Sequence, residues 1–151
     1  MSDRYFLDTN IFVYCFDRDD KRKQARAEEL VGKATADHLG VISTQVLQEF
    51  LSVATRKFAV PMTGRQARVY LDTVLAPLCE VFPSVALYQQ ALSIQEEARY
   101  SFYDSLVLAA AVEAKCKIVY SEDLHSGQML RGLAIINPFA ESKNSPAKSR
   151  N

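Results

Sequence analysis

Along this chain, short apolar runs bounded by turn residues alternate with longer stretches whose apolar positions recur every three or four residues. Arg4–Leu7 reads as a buried strand. After Asp8, Thr9 and Asn10 the apolar run resumes in "IFVY", which predicts a short helix from Asn10 to Phe16. Lys21–Ala36 reads as a polar-faced helix with Ala25, Leu30 and Val31 available for burial. Gly40–Ser43 predicts a second strand, followed by a helix over Thr44–Phe58 that Pro61 closes. Thr63–Ala76 then reads as a helix, Cys79–Phe82 as a strand and Ser84–Ala98 as a helix. "SFYDSLVLAAAVEAK" is apolar on nearly every side, so this helix is expected to be buried on more than one side. Ile118–Tyr120 and Leu133–Asn137 are the last expected strands. The pattern predicts an α/β fold: one domain over 1–139, with a mainly parallel central sheet of four to five strands and helices on both faces. Residues 140–151, ending in "ESKNSPAKSRN", have the composition of a disordered tail.

Composition narrows the class. A 151-residue chain that is 48% hydrophobic can bury a sizeable core. No apolar run reaches the roughly 20 residues of a membrane span, and "MSDRYFLD" lacks the basic-then-apolar layout of a secretory signal. Cys15, Cys79 and Cys116 are odd in number and widely spaced among apolar neighbours, which predicts reduced thiols and a cytoplasmic location. His38 and His125 are far apart and have no Cys-x-x-Cys companion, so a structural zinc site is not expected. Basic and acidic residues balance at 18 each. That differs from the basic character of many nucleic-acid-binding domains, although Lys21, Arg22, Lys23 and Arg26, then Arg56 and Lys57, then Arg65 and Arg68, form local basic groups.

The candidate chemistry lies in carboxylates. In an open parallel sheet, ligands bind beyond the carboxyl ends of the strands. Asp8 follows the first strand, and Glu49 lies about a turn and a half into the helix leaving the second. Asp104 opens the apolar helix, and the return along Ile118–Tyr120 brings Asp123 back beside it. Each acid also has a plain local role available. Asp8 can cap the short helix, Ser101 and Asp104 fit a capping box, Glu49 can sit at a helix edge, and Glu122 and Asp123 can form a polar turn. Four acids at one end of the sheet, without a counter-charge, must either protonate or bind a cation. An all-oxygen set suits Mg2+ or Mn2+ better than zinc. Thr9, Asn10, Ser43 and Thr44 are candidates to orient these acids by hydrogen bonds. Adjacent residues in an extended segment point to opposite sides, so Asp123 is expected inward and Glu122 outward.

Asp8 in "FLDTNIFVY", Glu49 in "STQVLQEF", Asp104 in "SFYDSLVLAAA" and Asp123 in "YSEDLHSG" together resemble the four-acid pattern of the PIN domain family, and in particular its VapC-type toxins. The resemblance runs from about Tyr5 to Phe139 and includes the closing "LAIINPF". It implies a Mg2+- or Mn2+-dependent endoribonuclease acting on RNA, restrained by a small antitoxin and paired as a homodimer, with Asp8, Glu49, Asp104 and Asp123 as catalytic metal ligands. Leu71, Val74 and Leu75, or Val46 and Leu47, are candidates for an antitoxin groove, although core packing also accounts for them. Two other readings use the same residues. Asp8 could be the nucleophile of a phosphatase, but such enzymes usually want a second Asp where this chain has Asn10. Alternatively, the acids could belong to a catalytically silent PIN-like module that only binds a partner.

Overall fold

The computed structural model describes residues 3–140, so the tail expected beyond them lies outside the described residues. Six strands form one sheet: β1 (Tyr5–Leu7), β2 (Gly40–Ser43), β3 (Cys79–Val81), β4 (Ile118–Tyr120), β5 (Met129–Leu130) and β6 (Leu133–Ile136). Their order is β3-β2-β1-β4-β6-β5, and every pairing is parallel except that of β5 with β6. The chain builds from β1 to β2 and β3 on one side, then crosses back to place β4 on the other. The reversal between β1 and β4 leaves a crevice at their carboxyl ends, where ligands of such sheets bind. The two register partners Leu7 and Tyr120 end these strands side by side.

The helices are α1 (Thr9–Tyr14), α2 (Lys21–Asp37), α3 (Thr44–Arg56), α4 (Gly64–Tyr70), α5 (Ala76–Leu78), α6 (Val85–Ala98) and α7 (Phe102–Glu113). A π-helical turn, Leu71–Leu75, joins α4 to α5, so the helix expected to run unbroken to Ala76 widens before Pro77. Pro77 has no N–H to give, and its ring would press on the Thr73 carbonyl four residues back. The Ala76 amide bonds the Leu71 carbonyl instead. On α2 the buried face is Ala27, Leu30, Val31 and Ala34, whereas Ala25, expected inside, is exposed. Alanine suits either face, so its small side chain gave no phase to the helix. Close approach of α2 to β2 rests on Gly40: a Cβ there would meet the Cβ of Ala34 at 2.4 Å.

α7 is buried on several sides, as its pattern predicts, with Ser105 to Ala111 all inside. The sheet has one strand more than the expected four to five. The extra one, β5, is a two-residue antiparallel edge strand. Phe6, Leu7, Ile11, Phe12, Ile42, Val46 and Phe50 are fully buried around the β1–β2 centre. The acidic end is therefore mounted directly on fully buried core.

Candidate active site

Asp8 leaves β1 one residue past its last rung and becomes the N-cap of α1. Its amide donates to the Tyr120 carbonyl at 3.0 Å, which extends the β1–β4 pairing by one residue. That pairing sets Ser121 opposite Asp8. The Ser121 hydroxyl donates to Asp8 Oδ2 at 2.7 Å, while the Thr9 amide donates to Asp8 Oδ1 at 2.7 Å. Both plain capping and site-building are thus served by one carboxylate, which is only 5% exposed.

The other three acids arrive from three different elements. Glu49 projects from α3, where Thr9 Oγ1 donates to its Oε1 at 2.7 Å and Gln45 Nε2 donates to its Oε2 at 3.2 Å. Asp104 sits in the first turn of α7, and its amide donates to the Ser101 hydroxyl at 3.1 Å. Capping there uses the amide of Asp104, and Ser101 also acts on its carboxyl. Asp123 follows β4, with its amide donating to the Ser121 hydroxyl at 3.1 Å and Asn10 Nδ2 donating to its Oδ2 at 3.2 Å. Ser121 therefore ties Asp8 and Asp123 together through one oxygen. Glu122 turns elsewhere. Its carboxylate receives the Tyr14 hydroxyl at 2.6 Å and the Lys23 ammonium at 2.5 Å.

Electrostatics separates these groups sharply. Burial pushes the Asp8 carboxyl up from its ordinary 3.8 to about 6, against the lowering effect of the Ser121 and Thr9 hydrogen bonds, with the charges of Glu49 and Asp123 adding to the rise. Burial also raises Asp104, opposed by Ser101 and assisted by the charges of Asp123 and Glu49. Glu49 and Asp123 thus act on both of the other acids, so all four share one electrostatic field. Among the described residues, the ion pairs are Arg4–Glu80, Lys23–Glu122, Arg26–Glu29 and Arg131–Glu97, and none involves these four. Nor do three or more acidic, histidine or cysteine side chains among the described residues already converge as a cation cage. The donor set nevertheless fits a hard divalent ion chemically: it is all oxygen, negatively charged and without a protein counter-charge.

Of the expected orienting residues, Thr9 and Asn10 hold acids, whereas Ser43 and Thr44 make no hydrogen bond to them. Ser121 and Gln45, which do hold acids, were not foreseen from the sequence. The only available signal for Ser121 was its position directly after a strand. Val46 and Leu75, candidates for a partner groove, are fully buried core residues. A groove between α3 and α4, lined by Leu51, Ala67 and Leu71 with Arg68 and Thr55, has a volume of about 360 Å3. A second cavity, also about 360 Å3, lies beneath the N-termini of α3 and α7, and one of its wall residues, Gln45, donates to Glu49. No helix among the described residues is long and apolar enough to cross a membrane.

The family model of the PIN domain matches residues 5–126. Among curated proteins, no sequence matches. Among solved structures, the fold is similar to that of a toxin–antitoxin complex from Klebsiella pneumoniae, with a TM-score of 0.65, 16% identity, and 89% of this chain and 97% of that one covered. It is similar to VapC20 of Mycobacterium tuberculosis, described as a sarcin-ricin loop cleaving toxin, with a TM-score of 0.57, 24% identity, and coverage of 79% and 89%. It also resembles VapBC2 from Rickettsia felis bound to a DNA fragment from their promoter, with a TM-score of 0.59, 18% identity, and coverage of 87% and 96%.

Proposed function

Because this chain belongs to the PIN domain family, we propose that it is a Mg2+- or Mn2+-dependent endoribonuclease and the toxin of a toxin–antitoxin pair. The observation that carries the reading is the gathering of Asp8, Glu49, Asp104 and Asp123 into one field with no ion pair to any of them. Asp8 and Asp104 would hold the ion directly, and Glu49 and Asp123 would complete its surroundings as the side chains draw in. A divalent ion bound there would orient and acidify a water for in-line attack on an RNA phosphodiester and stabilise the leaving oxygen.

The chain's own residues prepare this role. Ser121 and Thr9 fix the Asp8 carboxylate from both sides, so it is aimed before anything binds. Thr9 also spans to Glu49, and Asn10 to Asp123, so a single turn after β1 positions three of the four acids. Each carboxylate oxygen accepting one hydrogen bond retains a lone pair for a cation. Fold similarity to toxin–antitoxin complexes supports an antitoxin as partner. The α3–α4 groove offers an apolar seat for an amphipathic antitoxin segment.

The test is RNA cleavage by purified protein with Mg2+ or Mn2+, with and without EDTA, beside an identically prepared Asp8→Asn variant as contamination control. Cleavage abolished by EDTA and by the substitution is expected. Equal cleavage in all preparations would overturn the metal mechanism, and no cleavage of any RNA would favour a silent binding module. Co-expression with the neighbouring upstream reading frame tests the antitoxin, and light scattering tests the homodimer.

A further inference from the structure

The cavity beneath the N-termini of α3 and α7 reaches the acids through one wall residue, Gln45, which donates to Glu49, and its lining is unusual for simple packing. It is walled by Ser43, Gln45, Leu106 and the aromatic rings of Tyr88, Phe102 and Tyr103. Ser43 is 3% exposed and Gln45 is 8% exposed, yet Ser43 Oγ and Gln45 Oε1 have no hydrogen-bond partner. Buried polar atoms are seldom left in this state. Ser43 is the N-cap of α3, where a serine ordinarily bonds a helix amide, but its side chain makes no such bond. Gln45 cannot relieve its orphan by turning over. Its nitrogen already donates to Glu49 Oε2 and to the Tyr103 carbonyl, both pure acceptors, at 3.2 and 3.3 Å. The amide oxygen must therefore face away from them.

At the rim, Tyr103 and Tyr88 are exposed, and Phe102 stands edge-on to Tyr103 with ring centres 5.5 Å apart. Exposed aromatic faces beside orphaned polar atoms are the equipment for holding an unstacked RNA base. The geometry points to a subsite for one nucleobase of single-stranded RNA, next to the acids, where a divalent ion would hold the scissile phosphate. Gln45 Oε1 accepts from an exocyclic amine of the base, Ser43 Oγ bonds its neighbouring ring edge, and Tyr103 covers its face. Uracil fits poorly, because its single N–H is flanked by two carbonyl oxygens that would crowd the Gln45 oxygen. Adenine, guanine and cytosine each project an amine. This selection deepens the ribonuclease reading and rests on it for the position of the phosphate.

Two measurements test it. A randomised RNA library is cleaved with Mn2+ by the wild type, Ser43→Ala and Gln45→Met. Separately, AMP, GMP, CMP and UMP are titrated into metal-free protein, with the resonances of Tyr103 and Gln45 followed by NMR. The expected library result is a roughly ten- to hundredfold bias against uracil at one position beside the cut, falling below about threefold in Gln45→Met and reduced to a smaller degree in Ser43→Ala. Comparing bases within each variant removes any uniform loss of rate caused by the Gln45–Glu49 contact. UMP is expected to bind about tenfold more weakly than AMP, and Gln45→Met to erase the difference. Cleavage with a bias unchanged in both variants would overturn the subsite while leaving the ribonuclease reading standing. Nucleotide binding that the variants abolish, in a protein that cleaves no RNA, would keep the subsite and refute the ribonuclease. Neither bias nor nucleotide-induced shifts would overturn the subsite outright.

Discussion

Asp123 and Glu122 are neighbours in the chain, yet they belong to opposite electrostatic worlds. Glu122 is locked to Lys23 and Tyr14, and although burial raises its carboxyl, these two partners carry it below its ordinary value. The same contacts lift Lys23 to about 12, with the Glu122 hydrogen bond the largest cause. Asp123 adds its charge to Asp8 and Asp104 and has only the neutral Asn10 and Ser121 as hydrogen-bond partners. The Glu122 arrangement holds α2 to the end of β4. The Asp123 arrangement gathers like charges that work against folding. Uncompensated carboxylates at a sheet's ligand-binding end make sense as a place prepared for a cation.

The largest expected effect is at Asp8. Asp8→Asn keeps the side chain's shape and removes the buried charge, so RNA cleavage should fall at least about a hundredfold. Its effect on stability runs the other way. Folding raises the Asp8 pKa from 3.8 to about 6, so the folded chain binds this proton more tightly than the unfolded chain does. The group's stabilising contribution is full below about pH 4 and is lost as pH rises through 6, a difference of roughly 3 kcal/mol. In metal-free buffer at pH 7 the Asn variant should therefore melt higher than wild type, and the gap should close on acidification to pH 4. Paired thermal melts across that range check the sign.

Next comes Ser121→Ala, which removes the hydroxyl that steadies Asp8 and accepts from the Asp123 amide. Mn2+ affinity measured by calorimetry should drop about 10- to 100-fold, while the domain stays folded. Lys23→Met addresses the opposite side of the contrast. It leaves Glu122 partly buried without its cation and should cost about 1 kcal/mol, read as a lower denaturation midpoint. RNA cleavage should stay within about twofold, since Lys23 serves the frame.

What the sequence revealed follows from which features are local. Strand ends and helix phases are local, so Asp8, Glu49, Asp104 and Asp123 could be carried to one end of the sheet from element order and rise alone. Ser121 escaped because its role depends on register: only the Leu7–Tyr120 pairing sets it opposite Asp8, and "YSED" alone reads as a turn. Gln45 was hidden for a similar reason, since its bond to the Tyr103 carbonyl joins two distant helices. β5 was missed because two residues carry no period, and its pairing with β6 is made by the turn through Gly132, whose φ is +83°. The π-helical turn could have been suspected from Pro77, whose position inside an apolar helical pattern forces a break in the ordinary ladder.

The contrast between the two neighbours also gives the most direct test of the whole account. Asp123→Asn and Glu122→Gln are prepared side by side and assayed for Mn2+-dependent RNA cleavage at pH 7.5, with melting temperature recorded for each. Asp123→Asn is expected to stay folded and lose cleavage, while Glu122→Gln cleaves like wild type and melts lower. Cleavage retained in Asp123→Asn and lost in a folded Glu122→Gln would contradict the account.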